Sequence, residues 1–187
     1  AVYNCLRDAG IRTEPSFIFT DPGLYAEWTY LEQLESYLKE RDAIAVAVGV
    51  GVINDLTKLA SSHLGRRYLI VGTAASMDGY TAYGASITYH GNKQTFDCRA
   101  PIGMVMDPAI TAKAPNKITA SGYGDLIAKI PSGADWIIAD GVGSESIDKF
   151  AFSLIQRNLN EALADPDAIA SGDVTAGGKI SENWLMD

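Results

Sequence analysis

Histidine and cysteine are scarce in this sequence, with two of each among 187 residues. Cys5 and Cys98 lack the short spacing of a metal-binding motif, and a disulfide between them is unsupported. This usage excludes a cysteine-rich scaffold and favours a reducing, cytoplasmic location. The histidines, His63 and His90, are well separated along the chain.

Long apolar runs and an excess of positive charge are also missing. No stretch reaches the roughly 18 consecutive apolar residues of a transmembrane helix, and no signal peptide is visible. The formal net charge of −8 argues against a general nucleic-acid surface, because such a surface needs a basic face. The apolar fraction of 47% is typical of a globular protein. Such a chain can still bind a phosphorylated ligand through backbone dipoles.

The chain opens on a helix that has no strand before it. Apolar spacing over residues 2–9 predicts this helix, Gly10 ends it, and the pattern is typical of a unit whose preceding strand is missing. Residues 16–19 then predict a strand, residues 20–23 a turn, and residues 25–39 a helix.

The strongest ligand-binding signal is a strand, a glycine turn and a helix in succession. Residues 43–48 form an apolar run typical of a strand buried on both faces. Gly49 and Gly51 predict a tight turn, and a helix continues from Ile53. The first N–H groups of such a helix point at an incoming anion, which glycine allows to approach the backbone. We expect a pyrophosphate here, although Gly-x-Gly before a helix also occurs as plain turn chemistry.

A second strand and a polar loop follow. Residues 68–71 predict a buried strand, and Gly72 begins a loop that contains Asp78. Strands that alternate with helices predict a parallel sheet, in which ligands bind at the carboxyl ends of strands. We therefore expect the loops after Gly49 and Gly72 to face one crevice. The alternative for Asp78 is an Asx turn, in which it only bonds its own backbone.

Near residue 107 the periodicity changes from strands to helices. Before it, residues 85–97 predict a hairpin and residues 104–106 a last strand. After it, apolar positions over residues 147–163 keep helical spacing for about five turns. The pattern predicts an α/β domain over residues 1–107 and the start of an all-helical domain over residues 108–187.

Asp125 stands apart in the helical part, because it follows two glycines and precedes an apolar helical run. Its spacing favours an acidic residue in the first turn of a helix, where it would stabilise the helix dipole. The other interpretation is a metal-binding or catalytic carboxylate.

Three stretches in order carry a resemblance: Gly-Val-Gly-Val-Ile-Asn-Asp at 49–55, Thr-Ala-Ala-Ser-Met-Asp-Gly at 73–79, and Gly-Tyr-Gly-Asp-Leu-Ile-Ala-Lys at 122–129. Together they resemble the glycerol-1-phosphate dehydrogenase family. Its superfamily also holds glycerol dehydrogenases, iron-type alcohol dehydrogenases and 3-dehydroquinate synthases. The middle stretch is the most specific, because glycerol dehydrogenases usually carry Asp-Ala-Pro where this chain has Asp-Gly-Tyr at 78–80.

The resemblance implies a Rossmann-like, parallel-sheet α/β nucleotide domain followed by an all-helical domain, as in dehydroquinate synthases. It implies interconversion of dihydroxyacetone phosphate and sn-glycerol 1-phosphate, with NAD or NADP as cofactor and a role in phospholipid biosynthesis. It also implies a divalent metal, zinc or nickel, that polarises the substrate oxygen as a Lewis acid.

The resemblance also implies roles for individual residues. Asp78 is expected to contact the substrate. Asp125 is expected to be a catalytic residue, a substrate contact and the first of three metal ligands. Two loops are expected to contact the cofactor, one at the pyrophosphate and one at the nicotinamide: Gly49, Gly51, Val52, Ile53, Asn54 and Asp55, and Thr73, Ala74, Ala75 and Ser76.

Some positions depart from the family pattern. Val50 and Val52 replace residues that are often hydroxylic or small in the phosphate loop, so only backbone contacts to phosphate remain. Ala82 replaces a serine that the family usually has near the cofactor.

Both histidines of this chain precede Asp125, whereas the family's other two metal ligands are histidines that follow it. The sequence thus resembles the middle of such an enzyme, incomplete at both ends, and we expect residues 1–187 alone to hold no tight catalytic metal and to be inactive. An apolar helix face with Leu154, Ile155 and Leu159 would lack partners, which favours a homo-oligomer or further chain.

Two alternatives remain. One is a related glycerol or polyol dehydrogenase whose substrate lacks the phosphate. The other is a non-catalytic nucleotide-binding remnant, which the missing histidines and the valines at 50 and 52 favour. The choice between NAD and NADP, the metal and the oligomeric state stay open.

Overall fold

The computed structural model describes residues 1–184, with side chains described through residue 179. The chain divides into two compact units. The first consists of residues 1–71 and 83–103, and the second of residues 72–82 and the chain from residue 104 onward. Within the described chain, no helix is both long enough and apolar enough to cross a membrane.

Helices and strands alternate through the first part of the chain and lead to a hairpin. β3 and β4 of that hairpin pair antiparallel, with Ala85 opposite Phe96. His90 and Gly91 form its turn with φ values of 50° and 76°, the positive values that a two-residue hairpin turn requires. The predicted hairpin is confirmed. The elements up to residue 96 are α1 (Val2–Asp8), α2 (Trp28–Lys39), β1 (Ala45–Gly49), α3 (Gly51–His63), β2 (Tyr68–Gly72), β3 (Ala85–Tyr89) and β4 (Asn92–Phe96).

A three-stranded sheet has the order β1-β2-β5, where β5 is Gly103–Met106. The strands are parallel and combine with helices, which confirms the predicted α/β class. The core of the first unit forms where the leucine face of α2 packs with α3 and the hairpin, because those leucines recur at helical spacing. Its largest aliphatic members are Leu31, Leu34, Leu38, Leu56, Leu59 and Ile87.

Beyond Pro108 the described chain is helical, as predicted. Asp107 sets the change, because its Oδ1 accepts the Ala109 N–H at 2.8 Å and caps the first helix. The division at residue 107 into a nucleotide-binding and a helical domain stays a prediction, and its last positions, 185–187, lie outside the described residues. The helices are α4 (Pro108–Thr111), α5 (Asn116–Gly141), α6 (Lys149–Gln156), α7 (Leu159–Ala162), α8 (Pro166–Ala170) and α9 (Val174–Trp184).

Two predicted elements are wrong. Residues 16–19 form no strand. Phe17 and Phe19 instead pack on the core of the first unit, while Ile18 is 73% exposed, so the burial alternates without ladder pairing. The long helix predicted over residues 147–163 is two helices, because Asn158 adopts the left-handed conformation with φ 58° and ends the run after α6.

The burial of β1 also differs from the prediction. Ala47 is buried, but Val48 in the same strand is 45% exposed. The strand therefore buries one face within the described chain, where the apolar run predicted two.

Candidate functional site

The loop after β1 leads into α3 without a side-chain cap. Val50 is the N-cap residue in an extended conformation, and its side chain accepts no hydrogen bond from the first turn. A helix leaves the N–H groups of its first turn without intrahelical acceptors, and its dipole makes this end attractive to anions. The N-terminal end of α3 therefore has the backbone arrangement that suits a phosphate group.

Glycine at position 49 is required by packing. A Cβ added to Gly49 would lie 2.7 Å from Cγ1 of Ile53, so the turn could not fold this closely against the first turn of α3. The side chain of Val52 packs against the core of the first unit. Among these loop residues, Val52 can thus meet a ligand only through its backbone.

The side chains of Asn54 and Asp55 turn inward within the first unit. The Tyr68 hydroxyl donates to Asn54 Oδ1 at 3.0 Å, and the Asn54 N–H donates to the Val50 carbonyl at 3.1 Å. Asp55 accepts a hydrogen bond from the Ser86 N–H, and burial raises the pKa of its carboxyl to about 6. Cofactor contacts from these two residues stay a prediction, and their side chains serve the interior.

Lys58 is a buried partner that the sequence analysis did not single out. Lys58 is only 1% exposed, and its Nζ donates to the Gly84 carbonyl at 3.0 Å. Burial lowers the pKa of Lys58, and the charge of Asp55 opposes that fall. The signal was available, since positions three apart on a helix share a face, and this pair links α3 to the start of the hairpin.

In the second unit, Tyr80 holds the loop that was predicted to line the nicotinamide. Tyr80 is fully buried, and its hydroxyl donates to the Ala74 carbonyl at 2.8 Å. The same hydroxyl lies 3.0 Å from Ser76 Oγ. Ala74 and Ala75 are buried, whereas Thr73 and Ser76 are half-buried. Sequence reasoning missed Tyr80, whose aromatic ring fixes the course of the loop from within.

Asp78 and Asp125, which were predicted separately, are adjacent in the second unit. The Asp78 N–H donates to Asp125 Oδ2 at 3.1 Å, and Lys129 Nζ lies 3.1 Å from Asp78 Oδ2. The Lys129 side chain is 13% exposed and that of Asp78 34%. Burial raises the pKa of Asp125, and the hydrogen bond from Asp78 opposes the rise.

The position of Asp125 corrects one interpretation. Asp125 lies in the interior of α5, which begins at Asn116, and not in the first turn of a helix. Its carboxylate therefore does not compensate the helix dipole, and it faces the Asp78 loop instead. Lys129 was quoted in the sequence motif without a role, and helical spacing of four residues places it on the same face as Asp125.

A cavity of about 290 Å³ adjoins these charges within the second unit. Asp78, Lys129 and Ala82 form part of its wall, and Leu154 and Ile155 of α6 form another part. The predicted bare apolar face on this helix is therefore wrong in part. Leu159 is buried in the core of the second unit, whereas Leu154 and Ile155 line the cavity.

Asp125 has no complete set of metal-ligating neighbours in the described chain. No three His, Cys, Asp or Glu side chains among the described residues converge on a point where a metal ion fits. His63 Nδ1 lies 2.5 Å from Glu35 Oε1 in the first unit, and His90 is in the hairpin turn. The described residues thus supply one predicted ligand and do not form a metal site by themselves.

The sequence of this chain is similar to a family model and to curated proteins of known name. A family model described as iron-containing alcohol dehydrogenase matches residues 1–115. An NAD(P)+ glycerol-1-phosphate dehydrogenase of Geobacillus stearothermophilus is 33% identical over 144 residues, which are 77% of this chain and 34% of that protein. One of Pyrococcus furiosus, with the same name, is 33% identical over 76% of this chain and 42% of its own length. The chain thus spans well under half of these curated relatives.

Solved structures agree in fold. Glycerol dehydrogenase from Schizosaccharomyces pombe matches with a TM-score of 0.77 at 20% identity, over 99% of this chain and 49% of that one. A crystal structure of an iron-containing alcohol dehydrogenase matches with a TM-score of 0.76 at 16% identity, over 99% of this chain and 54% of that one. At such identities the likeness concerns the fold, and it confirms the predicted fold class.

Proposed function

Because the chain belongs to the iron-containing alcohol dehydrogenase family, we propose that it is part of a glycerol-1-phosphate dehydrogenase. The complete enzyme would interconvert dihydroxyacetone phosphate and sn-glycerol 1-phosphate with NAD or NADP. The observation that carries the proposal is the contact of Asp78 with Asp125 and Lys129 in one unit. The names of the relatives support the choice of substrate.

In this proposal the start of α3 holds the pyrophosphate of the dinucleotide. Its first-turn N–H groups supply the hydrogen bonds, because Val50 and Val52 have no side-chain donors. The close turn at Gly49 keeps side-chain atoms away from the phosphates. The loop of residues 73–76, which Tyr80 fixes from within, lines the nicotinamide.

Asp78 accepts a hydroxyl hydrogen bond from the substrate, and its ion pair with Lys129 orients that carboxylate. Asp125 contacts the substrate and contributes one carboxylate to a zinc or nickel site. The described residues do not complete that site. A metal of this kind needs three protein ligands and an open position.

The proposal also covers the partners and the location of the enzyme. The substrate is a small phosphorylated three-carbon compound, and the net charge of −8 argues against a nucleic-acid partner. We place the enzyme in the cytoplasm and leave a homo-oligomer as an expectation.

The test uses the intact native gene product and compares dihydroxyacetone phosphate with dihydroxyacetone, each with NADH and with NADPH. We expect kcat/KM to be at least about tenfold higher for the phosphate ester, because charge-assisted contacts to phosphate are strong. Faster turnover of dihydroxyacetone would contradict the substrate and favour the related polyol dehydrogenase.

A non-catalytic nucleotide-binding remnant is the second candidate. The observation in its favour is that the described residues offer Asp125 without the two further ligands. Titration of NADH fluorescence together with metal analysis of the native gene product separates the candidates. Binding of NADH without metal and without turnover would establish the remnant.

A further inference from the structure

A basic cavity in the first unit lies away from the cofactor loop. The cavity measures about 680 Å³ and opens beside the last turn of α3 and the start of β2. The proposed pyrophosphate loop is at the other end of α3, a helix of 13 residues that spans ~20 Å. Ligands in parallel sheets bind at the carboxyl ends of strands. This cavity is at the amino end of β2, so the cofactor site does not account for it.

The charges around the cavity are all positive. Lys58, Arg66, Arg67 and Arg99 line it, and none of the lining residues in the described chain is acidic. Within residues 1–179, no carboxylate forms an ion pair with any of the three arginines. The charge of Lys58 is balanced in part by Asp55. The charges of these three arginines are therefore not neutralised by an ion pair within the described residues, although the net charge of the protein is −8.

Arg66 is fixed by neutral groups. Its Nη1 donates to the Leu38 carbonyl at 2.8 Å and to the Arg41 carbonyl at 2.6 Å. These bonds orient the guanidinium without neutralising it. Arg67 and Arg99 are exposed and extend the same positive surface.

Turn hydrogen bonds weaken the opposition of the C-terminal end of α3 to an anion. Helix C-termini normally favour cations, because their last carbonyls are unpaired. In α3 the Leu64 N–H donates to Ala60 O, the Gly65 N–H to Ser62 O, and the Arg66 N–H to Ser61 O, at 3.2, 3.0 and 2.8 Å. These turn bonds occupy three of the last four carbonyls of α3, those of Ala60, Ser61 and Ser62.

We propose that this basic cavity is a second anion site, which binds a small molecule carrying phosphate groups and is separate from the loop at the start of α3. Guanidinium groups match phosphate oxygens with paired hydrogen bonds, which favours phosphate over a single carboxylate. The volume lies in the range of roughly 300–1,000 Å³ that small-molecule sites occupy. Pro101 and Ile102 supply an apolar wall for the rest of the ligand.

Inorganic pyrophosphate is the probe, and calorimetric titration of the intact native gene product is the measurement. Arg67→Gln with Arg99→Gln removes two exposed charges, and neither side chain forms an ion pair or a hydrogen bond within the described residues. The matched control, Arg12→Gln with Lys117→Gln, removes two exposed charges elsewhere. Because the cofactor loop also suits pyrophosphate, Gly51→Asp serves to block that loop. Citrate, in a parallel titration, tests whether the site prefers phosphate to carboxylate.

We expect the Gly51→Asp protein to keep one saturable pyrophosphate site. In that background the two arginine substitutions should weaken binding at least about tenfold, since each removes charge-assisted hydrogen bonds. The control pair should change it less than about twofold. Loss of all binding in Gly51→Asp, equal loss in the control pair, unchanged binding without the two arginines, or tighter binding of citrate would overturn the proposal.

Discussion

The backbone N–H of Asp78 donates to Oδ2 of Asp125 at 3.1 Å, although 47 positions separate the two residues in sequence. The bond ties the loop after β2 to the interior of α5 within one unit. Lys129, one turn beyond Asp125, pairs with the Asp78 carboxylate. Burial raises the pKa of Asp125 and the charge of Lys129 opposes that rise, so a change at either carboxylate alters the electrostatics of the other.

Asp125→Asn should lower metal content and turnover of the intact native gene product together. The amide keeps the shape of the side chain and can still accept the Asp78 N–H, but it removes the charge that binds a cation. Metal analysis and steady-state rates are the measurements. Asp135→Asn, at an exposed position of the same helix, is the control. Full metal content and turnover in Asp125→Asn would show that Asp125 is not a ligand.

Gly51→Asp should abolish dinucleotide binding without unfolding the chain. The new carboxylate stands at the first position of α3, where the helix dipole tolerates it but a pyrophosphate would be repelled. NADH fluorescence titration and circular dichroism are the measurements. Gln33→Glu, which adds the same charge at an exposed position of α2, is the control. Unchanged NADH affinity in folded Gly51→Asp would remove this loop from the site.

Much of the fold was predictable because local signals agreed with the tertiary structure. The apolar run before Gly49, the leucine spacing of α2 and the turn at His90 each specify one element. The prediction failed at residues 16–19, where tertiary packing and not strand pairing determines the conformation. Residues 16–19 alternate in burial as a strand would, but their aromatic rings pack without ladder pairing.

The site was predictable as a set of motifs and not as a set of contacts. Helical spacing could not show that Asp125 lies in mid-helix, because α5 begins nine residues before it at Asn116 and the two glycines before it are tolerated within the helix. The inward orientation of Asn54, in α3, depends on Tyr68, which lies in β2. Contacts between distant segments of this kind have no signature in a single sequence.

Gly49→Ala and Gly124→Ala should shift stability in opposite directions. The first places a Cβ 2.7 Å from Ile53 Cγ1 and should lower the free energy of unfolding by about 1–3 kcal/mol through overpacking. The second adds a Cβ that meets no atom within 4 Å in α5, and should raise it by about 0.5–1 kcal/mol through helix propensity. Chemical denaturation of both proteins is the measurement. Equal stability of Gly49→Ala and the unsubstituted protein would contradict the packing at the turn.

Asp55 should make the first unit less stable as the pH rises from about 4 to about 6. Its pKa is raised from 3.8 to about 6, chiefly by burial, while the ammonium of Lys58 opposes the rise. A carboxyl with a raised pKa binds its proton more tightly in the folded state. Its contribution is therefore fully present below pH 3.8 and lost as the pH passes about 6. The rise corresponds to at most about 3 kcal/mol.

Asp55→Asn, which can still accept the Ser86 N–H, should lose this part of the pH dependence in denaturation curves measured between pH 4 and pH 7. Asp42→Asn, at an exposed position, should keep it. An unchanged slope in Asp55→Asn, or a wild-type stability that rises over this interval, would show that Lys58 keeps the buried carboxyl ionised.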